Sequence, residues 1–224
     1  MTDQELSPMA QDYVKVVWNA GEWSDTPVTT KHLAERMGVA ASTVSENVRK
    51  LSDQGLLEHA PYGAITLTLA GTRHALTMVR KHRLIETYLV ERLGYTWDEV
   101  HDEAEVLEHA CSPRMIDAMD RALGYPTRDP HGDPIPTADG ALPTPSATLL
   151  AHAAAGEWQV ARISDADPGL LRHLADIGLT LDADVRVLPV PEFEDGVRLH
   201  IANRSDPVSL GAAAAHALWL VPRG

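Results

Sequence analysis

Apolar residues recur at helical spacing through Ala10–Ala20, where Tyr13, Val16 and Val17 mark one face of a predicted first helix. A turn follows at Gly21–Pro27. Leu33, Ala34 and Met37 then form the stripe of a short helix that Thr29 or Thr30 can cap at its start and that stops at Gly38. A second short helix over Ala40–Lys50 turns Val44, Val48 and Leu51 inward. Beyond Gly55 the period changes. Ile65, Leu67 and Leu69 alternate as a strand does, and with the Leu56-Leu57-Glu58 segment they predict a hairpin around a Pro61-Tyr62-Gly63 tip. Helix, helix-turn-helix and hairpin in that order predict a winged helix-turn-helix, which sets one helix in a DNA major groove.

From Gly71 to about Gly124 the pattern is helical, with breaks at Gly94-Tyr95-Thr96 and Cys111-Ser112-Pro113 that leave room for three helices. Pro126–Pro145 collects six prolines and resists regular structure, so it reads as a linker. After it, strand-like segments at Glu157–Ile163, Val185–Pro189, Val197–Ala202 and Ala217–Val221, with a helix at Gly169–Leu174, predict a small β-barrel or sandwich. The fold class expected is α+β, in three domains: 1–75 for the winged helix, 76–145 for a helical domain ending in the proline-rich linker, and 150–224 for the barrel.

Charge changes this picture locally. The chain carries a formal −13, which by itself disfavours a polyanionic partner. Residues 28–80, however, hold six cations against four acids, a balance of +2, whereas residues 81–125 hold ten acids against five cations, a balance of −5. The acid excess therefore lies behind the predicted DNA-binding segment. One cysteine excludes a disulfide framework within the chain, and no apolar run approaches the roughly 20 residues of a membrane span. Residues 1–9 lack a signal-peptide pattern, and the expectation is a cytoplasmic protein that no membrane holds.

In the predicted recognition helix, Thr43, Ser45 and Asn47 can donate to phosphates and Arg49 and Lys50 add charge, while Ser42 and Glu46 would face base edges. A protein-binding winged helix is the alternative. In the acidic segment, His101, Glu105, Glu108 and His109 are separated by four, three and one residues and so share one side of a helix. On the preceding helix His82 and Glu86 stand one turn apart. Either group alone reads as a solvated polar face. Two neighbouring helices that both offer His and Glu at turn spacing suggest a shared cation, and oxygen and imidazole donors without thiolate suit Mn²⁺ or Fe²⁺ better than Cu⁺. Cys111 reads as a small buried residue, and periodicity alone gives Asp12 no role.

The motifs Arg80-Lys81-His82-Arg83-Leu84, Val100-His101-Asp102-Glu103-Ala104 with Glu108-His109, and Gly132-Asp133-Pro134-Ile135-Pro136 resemble the diphtheria-toxin-repressor family of metal-dependent regulators. The resemblance implies a winged helix, a helical dimerisation domain and a small barrel similar to the iron-transport accessory protein FeoA. It also implies two metal positions: a primary one from Asp12, Glu105, Glu108 and His109, and an ancillary one from His82, Glu86 and His101 completed by the barrel, for which Asp165 is the nearest candidate. Iron-type members carry Met and Cys where this chain has Asp12 and Glu105, and manganese-type members carry Asp and Glu. The chain is manganese-like at both, yet it keeps a third domain that small manganese regulators lack and has Lys15 where they place a second acid. Its wing also reads Tyr62-Gly63 where some members present an Arg. The expectation is a Mn²⁺-dependent repressor, with Fe²⁺, Co²⁺ or Zn²⁺ as possible substitutes, that binds a palindromic double-stranded operator as a homodimer and controls metal-uptake genes. An iron-responsive regulator, a metal-independent regulator and a metal-dependent hydrolase using the His/Glu cluster are the alternatives.

Overall fold

A computed structural model of the chain describes residues 6–60, 63–143, 146–190, 196–202 and 204–223. They form two compact units: Met1–His82 with Pro136–Ala141, and Arg83–Ile135 with Leu142–Gly224.

The first unit opens with α1 (Pro8–Glu22), longer at both ends than periodicity indicates, because Ser7 caps it through the Ala10 N–H and Pro8 occupies the first turn, where a missing donor costs nothing. The α2 helix (Thr30–Met37) starts where the Thr29 side chain accepts from the His32 N–H, and it ends at Gly38 in the left-handed conformation. The α3 helix (Ala41–Asp53) has no side-chain cap at its start. Two three-residue strands follow, β1 (Leu57–His59) and β2 (Ile65–Leu67), paired antiparallel with Glu58 opposite Thr66. The Pro61-Tyr62 part of the predicted tip lies outside the described residues. Leu69 does not continue the strand. It opens α4 (Leu69–Tyr88), where Thr68 caps the helix through the Gly71 N–H, and Leu69 itself is 75% exposed. The apolar core joins Tyr13, Val14 and Val17 of α1 to Leu33, Val44, Val48, Leu51, Leu57 and Ile65.

The second unit takes up α4 at Arg83. A single π-turn, Leu89–Leu93, closes on Gly94, and then come α5 (Val100–Leu107) and α6 (Pro113–Leu123), the latter capped by Ser112 and ended by Gly124. Their core gathers Leu84, Ile85, Leu89, Val100, Ala104, Cys111, Ile116, Met119 and Ile135. Cys111 is thus the small buried residue expected. The region read as a linker is irregular but only partly exposed: Asp129, His131, Asp133 and Ile135 are all buried.

The C-terminal part is a six-stranded antiparallel sheet rather than a closed barrel. Its strands are β3 (Thr148–Leu149), β4 (Gly156–Ile163), β5 (Asp184–Leu188), β6 (Val197–Ile201), β7 (Val208–Leu210) and β8 (Leu218–Pro222), in the order β3-β8-β4-β5-β6-β7. The helix α7 (Pro168–Asp176), capped by Asp167, covers its core with Leu171 and Leu174, and the short α8 (Ala212–Ala215) leads into β8. Strand β4 slips register against β8: Val160 pairs with Leu220 and Arg162 with Trp219, so Ala161 is an inserted bulge residue.

Candidate metal centre and nucleic-acid face

Polar side chains of the second unit converge where the end of α4, the start of α5, the loop before the sheet and the end of β4 meet. Glu86 comes from α4 and is 1% exposed, His101 from the first turn of α5, and Asp165 from two residues beyond β4. The Nδ1 of His101 lies 3.3 Å from Glu86 Oε1 and 3.3 Å from Asp165 Oδ2, so Asp165, the barrel candidate, stands beside two of the expected ancillary residues. One turn along α5, Glu105 Oε1 is 3.7 Å from His101 Nε2. Asp165 and then Glu86 hold the imidazole proton against the opposing effect of burial and raise the His101 pKa to about 10. Burial pushes the Asp165 carboxyl up, but its bond to His101 and the charges of His101, His131 and Arg162 outweigh that and hold it well below the usual carboxylate range.

The structure adds a residue that sequence reasoning missed. His131, 1% exposed, projects from the Asp129–Asp133 loop, and its Nδ1 lies 3.9 Å from Glu86 Oε2. Its Nε2 is 2.7 Å from the Trp97 carbonyl, which can only accept, so Nε2 carries a proton and neutral His131 keeps its lone pair on Nδ1. That Nδ1 is buried and has no hydrogen-bond partner. One donor atom each from Glu86, His131 and Asp165 lie within 4.8 Å of one another. A buried imidazole with one nitrogen tied to a carbonyl and the other aimed between two carboxylates is how a histidine is oriented toward a metal. These residues fit a hard or borderline divalent cation, and Cys111 packs in the apolar core among Leu84 and Ile116. Spacing hid His131, since it sits in a proline-rich irregular stretch; the alternation Asp129-x-His131-x-Asp133 was its one visible signal.

The other expected ligands are placed as follows. Asp12 is half-buried on α1 of the first unit, and His82 is the last α4 residue in that unit, one turn before Glu86. Glu105 is half-buried near the end of α5; Glu108, just past that end, is fully buried, and His109 Nε2 lies 3.7 Å from its Oε1.

In the first unit α3 turns Val44, Val48 and Leu51 into the core and leaves Ser42, Thr43, Ser45, Glu46, Arg49 and Lys50 exposed. Its uncapped start leaves backbone N–H groups directed outward at the positive end of the helix, a disposition that suits phosphate. Four of the expected DNA contacts, Ser45, Glu46, Asn47 and Lys50, already have partners within the unit. Ser45 Oγ donates to the Ala41 carbonyl, Lys50 Nζ lies 2.7 Å from Glu46 Oε1, and Asn47 Nδ2 donates to the Tyr13 hydroxyl at 3.2 Å.

Three family models match in succession: the iron-dependent repressor N-terminal DNA-binding domain over residues 5–65, the iron-dependent repressor metal-binding and dimerisation domain over 68–137, and the FeoA domain over 148–222. The iron-dependent repressor IdeR of Mycobacterium tuberculosis is 32% identical over 227 residues, covering 96% of this chain and 97% of that one. Among solved structures, a manganese-dependent transcriptional repressor in complex with manganese is 56% identical, with a TM-score of 0.91 over 96% of this chain and 100% of that one. The manganese regulator SloR is 31% identical, with a TM-score of 0.81 over 97% and 100%.

Proposed function

The chain belongs to the diphtheria-toxin-repressor family, whose members are DNA-binding repressors controlled by divalent metal, and from that premise we propose that its activating ion is Mn²⁺. The observation that carries the reading is the cluster of Glu86, His101, His131 and Asp165, an oxygen and imidazole donor set with a buried nitrogen aimed into it. Such donors suit Mn²⁺, and the 56% identical relative is itself described as manganese-dependent. Asp12 and Glu105, manganese-type residues at two primary positions, support the same ion, with Glu108 and His109 as their companions. The family resemblance adds His82 to the expected ancillary residues. The hydrolase alternative loses its support, since the relatives are repressors. Among the described residues no helix is long and apolar enough to cross a membrane.

In this reading the ion supplies positive charge that lets clustered carboxylates share one site. Glu86 and Asp165 offer oxygens, and His131 offers Nδ1 because the Trp97 carbonyl holds its other nitrogen. His101 must release its proton to join them. Binding shifts the chain toward its DNA-competent state by the difference in metal affinity between states, as linkage requires. A two-fold dimer then reads a palindrome through α3, where Ser42, Thr43 and Arg49 are exposed for contact. Titrating operator binding against free Mn²⁺ tests the proposal: affinity is expected to rise steeply with the ion and collapse with chelator, and equal affinity in both conditions ends it.

A further inference from the structure

Strand β4 does more than close a sheet. The inserted Ala161 breaks its alternation, so that Val160, Arg162 and Ile163 are all buried. Arg162 is the anomaly, a cation 8% exposed at the edge of an apolar core. Its guanidinium lies 4.2 Å over the Trp219 ring, and its Nε donates to Asp133 Oδ1 at 2.6 Å. The bulge also turns the Ile163 N–H out of the ladder, where it donates to the His131 carbonyl at 2.9 Å. Gly132 fits between these two bonds with φ +92°; a Cβ there would stand 2.1 Å from the Ala161 carbonyl oxygen.

The loop is tied from its other side as well. Asp129 Oδ1 accepts from the backbone N–H groups of His131 and Asp133, both at 2.9 Å. Arg83 of α4 donates to the Pro134 carbonyl at 2.6 Å and lies 3.6 Å from Asp133. Asp133 is thus the point at which cations from the helix and from the sheet meet, two residues from the imidazole.

We propose that Arg162, presented by the Ala161 bulge, is a positioning residue for His131: through Asp133 it sets where Nδ1 stands relative to Glu86 and Asp165, and so the C-terminal sheet tunes the metal affinity of the cluster without touching the ion. This rests on the reading that the cluster holds a divalent cation. Residues that orient a ligand from behind typically change metal affinity by about 10- to 100-fold when altered.

The test is Mn²⁺ binding to the full-length protein by calorimetry. Glu86→Gln identifies which class of bound Mn²⁺ belongs to the cluster, because that class disappears. Arg162→Met is expected to weaken that class by about 10-fold, with Asp133→Asn doing the same. Because one acts through the other, the double variant should lose no more than about twofold beyond either single variant, whereas two independent packing defects would multiply. Arg162→Lys keeps the charge without the fork and should recover part of the loss. Wild-type affinity in Arg162→Met, or multiplying losses in the double variant, overturns the inference. Should Arg162→Met not fold, wild-type affinity in both Arg162→Lys and Asp133→Asn overturns it equally. If Glu86→Gln leaves the number of bound Mn²⁺ unchanged, the metal reading of the cluster falls and takes this inference with it; if it removes one class while Arg162→Met changes nothing, only the inference falls.

Discussion

The outer face of α3 and the Asp129–Asp133 loop are both rich in polar groups, and they treat them in opposite ways. On α3 the exposed side chains Ser42, Thr43, Ser45, Glu46, Arg49 and Lys50 stand in water or bond one turn along, as Ser45 does with the Ala41 carbonyl and Lys50 with Glu46. Little is invested there, and the groups remain available to a polyanion that arrives later. In the loop, Asp129, His131 and Asp133 are no more than 5% exposed, and each is held by backbone or by a buried cation. Burying polar groups is costly unless they are satisfied, and apart from His131 Nδ1 these bonds fix the loop in one geometry. Tolerance to substitution should follow the same division.

The largest effect is expected at Gly132→Ala. The substitution meets backbone, not a flexible side chain, at a φ that other residues avoid. Strain and overpacking together should cost about 2–5 kcal/mol. For a chain of this size that is a fall of about 5–15 °C in Tm, read by thermal unfolding without metal. An unchanged Tm would show the loop to be as permissive as α3.

His101 lies between the extremes, its side chain 42% exposed and its pKa raised to about 10 by Asp165 and Glu86. In the metal-free protein the raised value stabilises the fold fully below the unfolded pKa of about 6.5, and the contribution is lost as pH rises through about 10. For metal the sign reverses. The bound proton competes, so Mn²⁺ affinity should climb with pH and binding near neutrality should release about one proton. Calorimetry in buffers of different ionisation heat measures it, and His101→Ala should reduce that release.

The smallest effects belong to α3. Arg49→Ala should weaken operator binding on all sequences alike and reduce the slope of its salt dependence by about one. Lys50→Ala should do less, since Glu46 already offsets that charge at 2.7 Å. Equal losses would mean that DNA displaces the pair.

The same contrast explains what the sequence makes legible. Thr29 and Gly38 mark the bounds of α2, and Val44, Val48 and Leu51 the buried side of α3, because a helix with one wet face must repeat. His82, Glu86, His101 and Glu105 are visible for the same reason, since helical spacing is regular. Leu69 misleads: three alternating apolar residues resemble one strand, yet Thr68 caps a helix there and exposes the last of them. His131 and Arg162 escape because what places them has no period. One depends on a loop folded around its own aspartate, the other on a single inserted residue that flips a strand's alternation.

The bond between His131 and the Trp97 carbonyl bears on how the site can drift over generations. The acceptor is main chain, so replacing the indole at position 97 leaves the imidazole's protonated nitrogen where it is. What such a replacement alters is the stacking of the two rings, whose centroids lie 6.0 Å apart. The proton assignment is therefore inherited with the path of the backbone, and the neighbouring side chain is left open to variation.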